Sequence, residues 1–176
     1  MIFTPTEIDG VFLVTLEPRI DDRGYFARAF AQEEFDTAGI KFKMVQTNQA
    51  YTKTKGVLRG MHWQTEPKLE SKFFQCLDGE IFDVVCDTRP DSPTYGKWEG
   101  FNLKGGEFKL LFIPGGLAHG YETLTDNCRV QYMVSEFYAP ETEKGFRWND
   151  PTFNIKWPIE PTFLSEKDKN LPDYQK

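Results

Sequence analysis

Lys72-Phe73-Phe74-Gln75-Cys76-Leu77-Asp78-Gly79-Glu80-Ile81-Phe82-Asp83-Val84-Val85-Cys86-Asp87 is the stretch on which the fold turns. It holds two short apolar runs, 72–77 and 80–87, parted by one turn dipeptide. Runs of this length, rich in aromatic and β-branched residues and bounded by turn formers, read as strands. Asp78-Gly79 predicts a tight hairpin, because both central residues of such a turn take positive φ and Asp and Gly do so at least cost. Side chains alternate along a strand, so Ile81, Asp83, Val85 and Asp87 share one face and Phe82, Val84 and Cys86 the other. Asp83 stands out, since a carboxylate among β-branched residues is costly unless it finds a partner.

Working outward, the same pattern predicts strands over 11–16, 25–30, 45–51, 57–64, 97–103, 110–113, 116–124 and 129–137. Helix signals are few. One helix is expected over 32–38, stopped by Gly39. A second short one follows Ser165, where Ser165-Glu166-Lys167-Asp168 has capping-box spacing. From Tyr138 onward five prolines and two tryptophans predict irregular chain wrapped over the rest. Some ten short strands with little helix between them point to a sandwich or barrel. An eight-stranded jelly roll with extra strands fits best, and such barrels hold ligands in their mouths. The length, 176 residues, suits one domain over 1–176.

Composition narrows the function. There are 27 acidic and 21 basic residues, a net charge of −6, which argues against nucleic acid and membrane surfaces as partners. No apolar run approaches the roughly 18 residues of a membrane span, and no secretory signal opens the chain. Cys76, Cys86 and Cys128 have no CxxC spacing. They read as small buried hydrophobes in a reducing compartment, so the expected location is the cytoplasm. Only two histidines are present, with no His-x-His pair. A metal site would need unusual carboxylate help, and none is expected.

Those histidines are the first candidates for proton chemistry near neutral pH. His62 lies in Gly56-Val57-Leu58-Arg59-Gly60-Met61-His62-Trp63-Gln64. Arg59 and His62 are three apart, so a regular strand would part them; a bulge at Gly60 would bring both to one side. His119 follows Ile113-Pro114-Gly115-Gly116-Leu117-Ala118, and shares a strand face with Leu117 and Tyr121. Tyr132 and Tyr138 share another face with Val130, Val134 and Glu136. Arg23, Arg59 and Lys72 are cations in or beside strand- and glycine-rich segments. Each could be an ordinary surface ion pair, or part of an anion site suited to phosphate. Asp168 could be a capping carboxylate and nothing more.

Taken together, the motifs resemble one family. They are Asp21-Asp22-Arg23-Gly24-Tyr25-Phe26, Gly56 through Gln64, Gly79-Glu80-Ile81-Phe82-Asp83-Val84, Asp87-Thr88-Arg89 and Asp91-Ser92-Pro93-Thr94-Tyr95-Gly96-Lys97-Trp98. Further on come Ile113-Pro114, Ala118-His119-Gly120, Tyr138-Ala139-Pro140-Glu141, Arg147-Trp148-Asn149-Asp150-Pro151, Ile155-Lys156-Trp157-Pro158 and Leu164-Ser165-Glu166-Lys167-Asp168. In this order they are similar to the dTDP-4-dehydrorhamnose 3,5-epimerases. The resemblance implies an all-β, cupin-type double-stranded β-helix with a few short peripheral helices. It implies a homodimer with N-terminal strands (Val11 to Leu16 and the Arg23 segment) reaching the partner barrel, and an enzyme with neither metal nor cofactor. The implied substrate is a nucleotide diphosphate 4-keto-6-deoxyhexose, inverted at C3, C5 or both through an enolate, in deoxysugar and cell-surface polysaccharide synthesis. By that match His62 is the base, Asp168 its orienting carboxylate, Lys72 the enolate stabiliser and Tyr132 the acid on the opposite face. Arg23 and Arg59 match diphosphate contacts, Gln46 and Asn48 polar contacts in the nucleotide pocket, Tyr138 a ring near sugar or base, and Asp83 and His119 the completion of the pocket. Two segments depart from the pattern. Arg28 stands where the family usually has a glutamate that reads thymine, which leaves CDP- and other nucleotide sugars open. Glu70-Ser71 replaces a common glutamine-glycine before Lys72. A keto-isomerase, a single-centre epimerase and a non-catalytic sugar-nucleotide binding module are the alternatives.

Overall fold

The computed structural model describes residues 1–175. The strands are β1 (Ile2–Pro5), β2 (Phe12–Thr15), β3 (Arg19–Asp21), β4 (Gly24–Phe26), β5 (Gln46–Thr52), β6 (Leu58–Gln64), β7 (Lys72–Asp78), β8 (Glu80–Asp87), β9 (Trp98–Lys104), β10 (Lys109–Ile113), β11 (Leu117–Thr123), β12 (Cys128–Val134) and β13 (Glu143–Gly145). Helix α1 (Gln32–Thr37) lies between β4 and β5, and α2 (Glu166–Lys169) near the C-terminus. None of these helices is long and apolar enough to cross a membrane.

Two antiparallel sheets make the body. One has the order β1-β2-β10-β7-β12-β5, the other β13-β6-β11-β8-β9. From β6 onward the chain alternates between them: β6 in the second, β7 in the first, β8 and β9 in the second, β10 in the first, β11 back, β12 across again. That repeated crossing is the double-stranded β-helix of a cupin-type jelly roll, the all-β class the sequence predicts.

The opening stretch is corrected in its middle. Both strands form, but β7 pairs with β10 and β12 while β8 pairs with β9 and β11. Asp78-Gly79 is therefore a corner between sheets, not a hairpin. Only Gly79 takes positive φ, 78°. A Cβ there would stand 2.6 Å from the Cys128 Sγ, so the corner also requires a residue without a side chain. Local turn chemistry cannot distinguish a corner from a hairpin, because both need the same abrupt reversal.

Burial explains why the stretch looks apolar throughout. Inward-facing Phe74 joins Ile81, Val85, Leu111, Leu117, Tyr121 and Val130 between the sheets. Its neighbour Phe73 points out, into a cluster with Phe35 of α1, Phe42, Leu110 and Phe112. Behind the second sheet Val84, Cys86, Met61 and Ala118 lie under Phe146, Phe153 and Ile155 of the C-terminal strap. A strand covered on both faces shows no polar alternation. All three cysteines are buried thiols.

Other expectations shift at their edges. Helix α1 ends at Thr37, with Gly39 at φ 73° behind it. The strand expected over 25–30 is only β4, hairpinned with β3 and fully exposed. β1 has no strand signal and forms by pairing with β2. The chain after Tyr138 is mostly irregular, but β13 adds a strand to the edge beside β6.

Candidate functional site

A pocket of about 410 Å³ opens between the two sheets. Arg59, His62, His119 and Tyr121 line it from the second sheet, and Gln46, Asn48, Lys72, Phe74 and Tyr132 from the first. Tyr138, Glu143 and Glu70 stand among its lining from connecting chain and β13.

The bulge expected at Gly60 is present. β11 pairs His119 with His62 and then Tyr121 with Arg59, with the register shift between. Arg59 and His62, three apart, thereby reach the same pocket. A Cβ on Gly60 would lie 2.6 Å from the Gly120 Cα, so the strands approach here only because both positions are glycine.

Each histidine holds a carboxylate. His62 Nε2 lies 2.6 Å from Asp168 Oδ1. Ser165 caps α2, its Oγ accepting from the Asp168 amide at 3.1 Å. The capping-box spacing is thus half used: the backbone is capped, while the carboxylate goes to the imidazole. Burial raises the Asp168 carboxyl, but the His62 hydrogen bond and charge outweigh it and hold the group below the usual carboxylate range. The other ring nitrogen of His62 has no hydrogen bond, and Glu143 Oε1 stands 3.7 Å from it. His119 Nε2 lies 2.9 Å from Asp83 Oδ2, which supplies the partner that Asp83's strand position demands.

Around these pairs the walls are aromatic. Phe74 stacks on Tyr132 at 5.7 Å between centroids and meets His119 edge-on at 4.9 Å. Burial raises the Tyr132 phenol against the pull of Arg59, so it keeps its proton at neutral pH. Burial pushes the Lys72 ammonium down to about 8, with Glu143 pulling the other way. Lys72 also contacts the Glu70 carboxylate directly. Gln46 Nε2 donates to Asn48 Oδ1 at 2.7 Å. Tyr138 OH donates to Glu143 Oε2 at 2.9 Å, and Lys167 Nζ to the same oxygen at 2.5 Å.

Ten of the twelve candidates are thus drawn together: His62, Lys72, Tyr132, Gln46, Asn48, Arg59, His119 and Tyr138 line the pocket, with Asp168 and Asp83 bonded to its histidines. Arg23 and Arg28 lie elsewhere. Arg23 is on the exposed hairpin, its guanidinium 2.6 Å from Asp21. Arg28 sits 3.2 Å from Glu34, beside the N-terminal amine that Glu34 also binds. Glu143 is the lining residue the sequence does not announce; its strand of three is too short to carry a pattern. Among the described residues no three His, Cys, Asp or Glu side chains converge closely enough to hold a metal ion.

The chain has close relatives. The sequence model of one family, dTDP-4-dehydrorhamnose 3,5-epimerase, matches residues 5–176. A dTDP-4-dehydrorhamnose 3,5-epimerase of Shigella flexneri is 44% identical over 94% of this chain and 91% of its own. The crystal structure of one from Bacillus anthracis, with TDP and PPi bound, superposes with a TM-score of 0.95 at 35% identity, covering 98% of this chain and 99% of that one. A dTDP-6-deoxy-D-glucose-3,5-epimerase from Legionella pneumophila, in complex with dTDP-4-keto-L-rhamnose, gives 0.90 at 34% identity over 99% of both chains.

Proposed function

The chain belongs to the dTDP-4-dehydrorhamnose 3,5-epimerase family, and from that premise we propose that it inverts C3 and C5 of a dTDP-linked 4-keto-6-deoxyhexose. The observation that carries the proposal is a His62–Asp168 pair facing Tyr132 and Lys72 across one pocket, from opposite sheets.

The chemistry needs that opposition. A C–H beside a ketone is acidic because the carbanion delocalises onto oxygen, and inversion needs a base on one face and an acid on the other. His62 removes the proton. Asp168 fixes the tautomer and stabilises the imidazolium as it forms. Lys72 meets the negative charge that develops on O4 only during reaction. Tyr132, kept protonated by burial, returns a proton from the other side. Asp83 holds the His119 ring, Arg59 takes a phosphate oxygen, and Gln46, Asn48 and Tyr138 contact the remainder of the ligand. The bond changes are proton transfers, so no redox cofactor takes part.

We also propose a homodimer in which the β3–β4 hairpin reaches a second copy. Its exposed Ile20, Tyr25 and Phe26 support this, as does the position of Arg23 and Arg28 outside their own chain's pocket lining. β2 is hydrogen-bonded on both edges within its own chain, which favours the hairpin over 11–16 as the segment that reaches across. The three free, buried thiols support a cytoplasmic setting.

The test is exchange in heavy water. With dTDP-4-keto-6-deoxyglucose, NMR should report deuterium at C3 and C5 and a ketone retained at C4. Absence of exchange with both dTDP- and CDP-linked sugars would sink the reading, and a ketone moved to C3 would replace it with keto-isomerisation. His62→Ala should lower exchange by about 10⁴-fold. Tyr132→Phe should spare the first deprotonation and impair inversion at C5. Sedimentation at micromolar concentration should give a dimer; a monomer would overturn that part.

A further inference from the structure

We infer that Glu70 is a positioning residue for the reaction proposed above: its carboxylate keeps the Lys72 ammonium charged and aimed at the place of the sugar's C4 oxygen. The inference rests on the proposed role of Lys72, and its starting point is a contact inside the pocket.

Glu70 and Lys72 both line the pocket, and their side chains are only 12% and 15% exposed. The backbone between them is held on several sides. The Ser71 amide donates to Ser135 Oγ at 2.9 Å, Ser71 Oγ accepts from the Gly115 amide at 3.0 Å, and the Ser71 carbonyl accepts from the Ser135 amide at 3.1 Å. Leu69 packs close to Gly115, where an added Cβ would stand 3.0 Å from it. With the chain so fixed, the Glu70 carboxylate turns to Lys72 rather than to solvent.

The lysine needs such a partner. Taken out of water, an ammonium tends to lose its proton, and burial acts on Lys72 in that direction. A neutral amine would offer a developing enolate far less stabilisation. The other lining acid, Glu143, pulls the ammonium up by its charge but makes no ion pair with it; its Oε2 receives Tyr138 and Lys167. The remaining titratable groups lining the pocket are Arg59 and His62 from β6, His119 and Tyr121 from β11, Tyr132 from β12 and Tyr138, with the Lys68–Glu136 pair outside the lining. None of them is an unengaged anion, and Glu70 is the carboxylate in direct contact with Lys72.

Glu70 does not defeat the purpose of Lys72. An ammonium has three N–H donors. One serves Glu70 and fixes the rotamer, which leaves two for a ligand oxygen. Coulomb energy falls as the inverse of distance, so an enolate oxygen in contact with the ammonium gains more from it than it loses to a carboxylate one ion further away.

The experiment labels lysine with ¹³C and follows the Lys72 Cε resonance, assigned with Lys72→Arg, against pH without substrate. In parallel it follows the pH profile of deuterium exchange. Proteins compared are the wild type, Glu70→Gln, Glu70→Asp and, as a charge control, Glu66→Gln at an exposed position of the same segment. Glu70→Gln should lower the Lys72 titration midpoint by roughly 1–3 units and move the basic limb of the exchange profile down with it. The apparent KM should change little at pH values where Lys72 stays charged. Glu70→Asp should restore most of the shift, and Glu66→Gln should leave both curves in place. An unmoved Lys72 titration in Glu70→Gln would overturn the inference while leaving the epimerase reading intact. Loss of exchange in the wild type would overturn the reaction and not the pair, because the titration is read without substrate.

Discussion

The two histidine–carboxylate pairs look alike and are built in opposite ways. His119 and Asp83 come from β11 and β8, neighbours in one sheet, and their side chains are 7% and 0% exposed. The ladder that makes the sheet also makes the pair. His62 and Asp168 come from β6 and from α2 on the C-terminal strap. That pair exists only when the strap is seated. Its anchors are the bridge between Val57 and Phe163, the Leu58 amide to the Phe163 carbonyl at 3.0 Å, and the Thr162 amide to the Gly56 carbonyl at 2.8 Å. The first pair is a product of folding and the second of docking, so they should separate when perturbed.

The largest separation is expected at Asp168. Asp168→Ala should cost about 10²–10³-fold in exchange, the usual scale of acid–base assistance, with a smaller fall in thermal midpoint than Asp83→Ala causes. Collapse of the midpoint would break the contrast. Next comes Asp83→Ala. It strands a buried imidazole and should cost about 1–3 kcal/mol by urea unfolding, with a smaller loss of exchange than Asp168→Ala.

A third prediction concerns the surface under the strap. Glu122 on β11 is fully buried beside the strap's Ile159, and burial pushes its carboxyl up to about 7 from 4.5, against the help of the Ile159 amide. Between those values the folded protein keeps a proton that the unfolded chain has lost. Stability should therefore fall as pH rises from about 4.5 to about 7 and stay lower above. Glu122→Gln should raise the melting temperature at pH 8 by about 2–4 °C and leave it unchanged at pH 4. An equal effect at both pH values would remove the carboxyl from the account. Asp168 has the opposite sign: its folded value is lowered, so its stabilisation is complete above its unfolded value of 3.8 and is lost as pH falls through the folded one. The smallest effect belongs to Ser165→Ala, which uncaps α2 at about 0.5–1 kcal/mol and should reduce exchange less than tenfold. A loss as large as that of Asp168→Ala would mean that the cap itself seats the carboxylate.

The same contrast marks what a reader of the sequence could foresee. Asp83 is conspicuous because its strand is apolar on both sides, and Gly60 betrays the bulge because nothing else explains Arg59 and His62 together. These are local signals. The crossing at Asp78-Gly79 is not local, since the partners of β7 and β8 lie on β10 and β11, far along the chain. Glu143 escaped for a similar reason: three residues, Glu143 to Gly145, become a strand only because β6 offers an edge. Resemblance, not periodicity, assigned Asp168 a role, for its spacing from Ser165 is fully explained by a cap.

Phe74 joins the interior cluster to the pocket wall, touching His119, Tyr121 and Tyr132 with a single ring. A wall that is also core has little freedom to vary, because any change that reshapes the cavity there disturbs the packing behind it. New substrate preferences on this scaffold would therefore be written in the rim, in segments such as the one carrying Glu70, while the barrel beneath stays as it is.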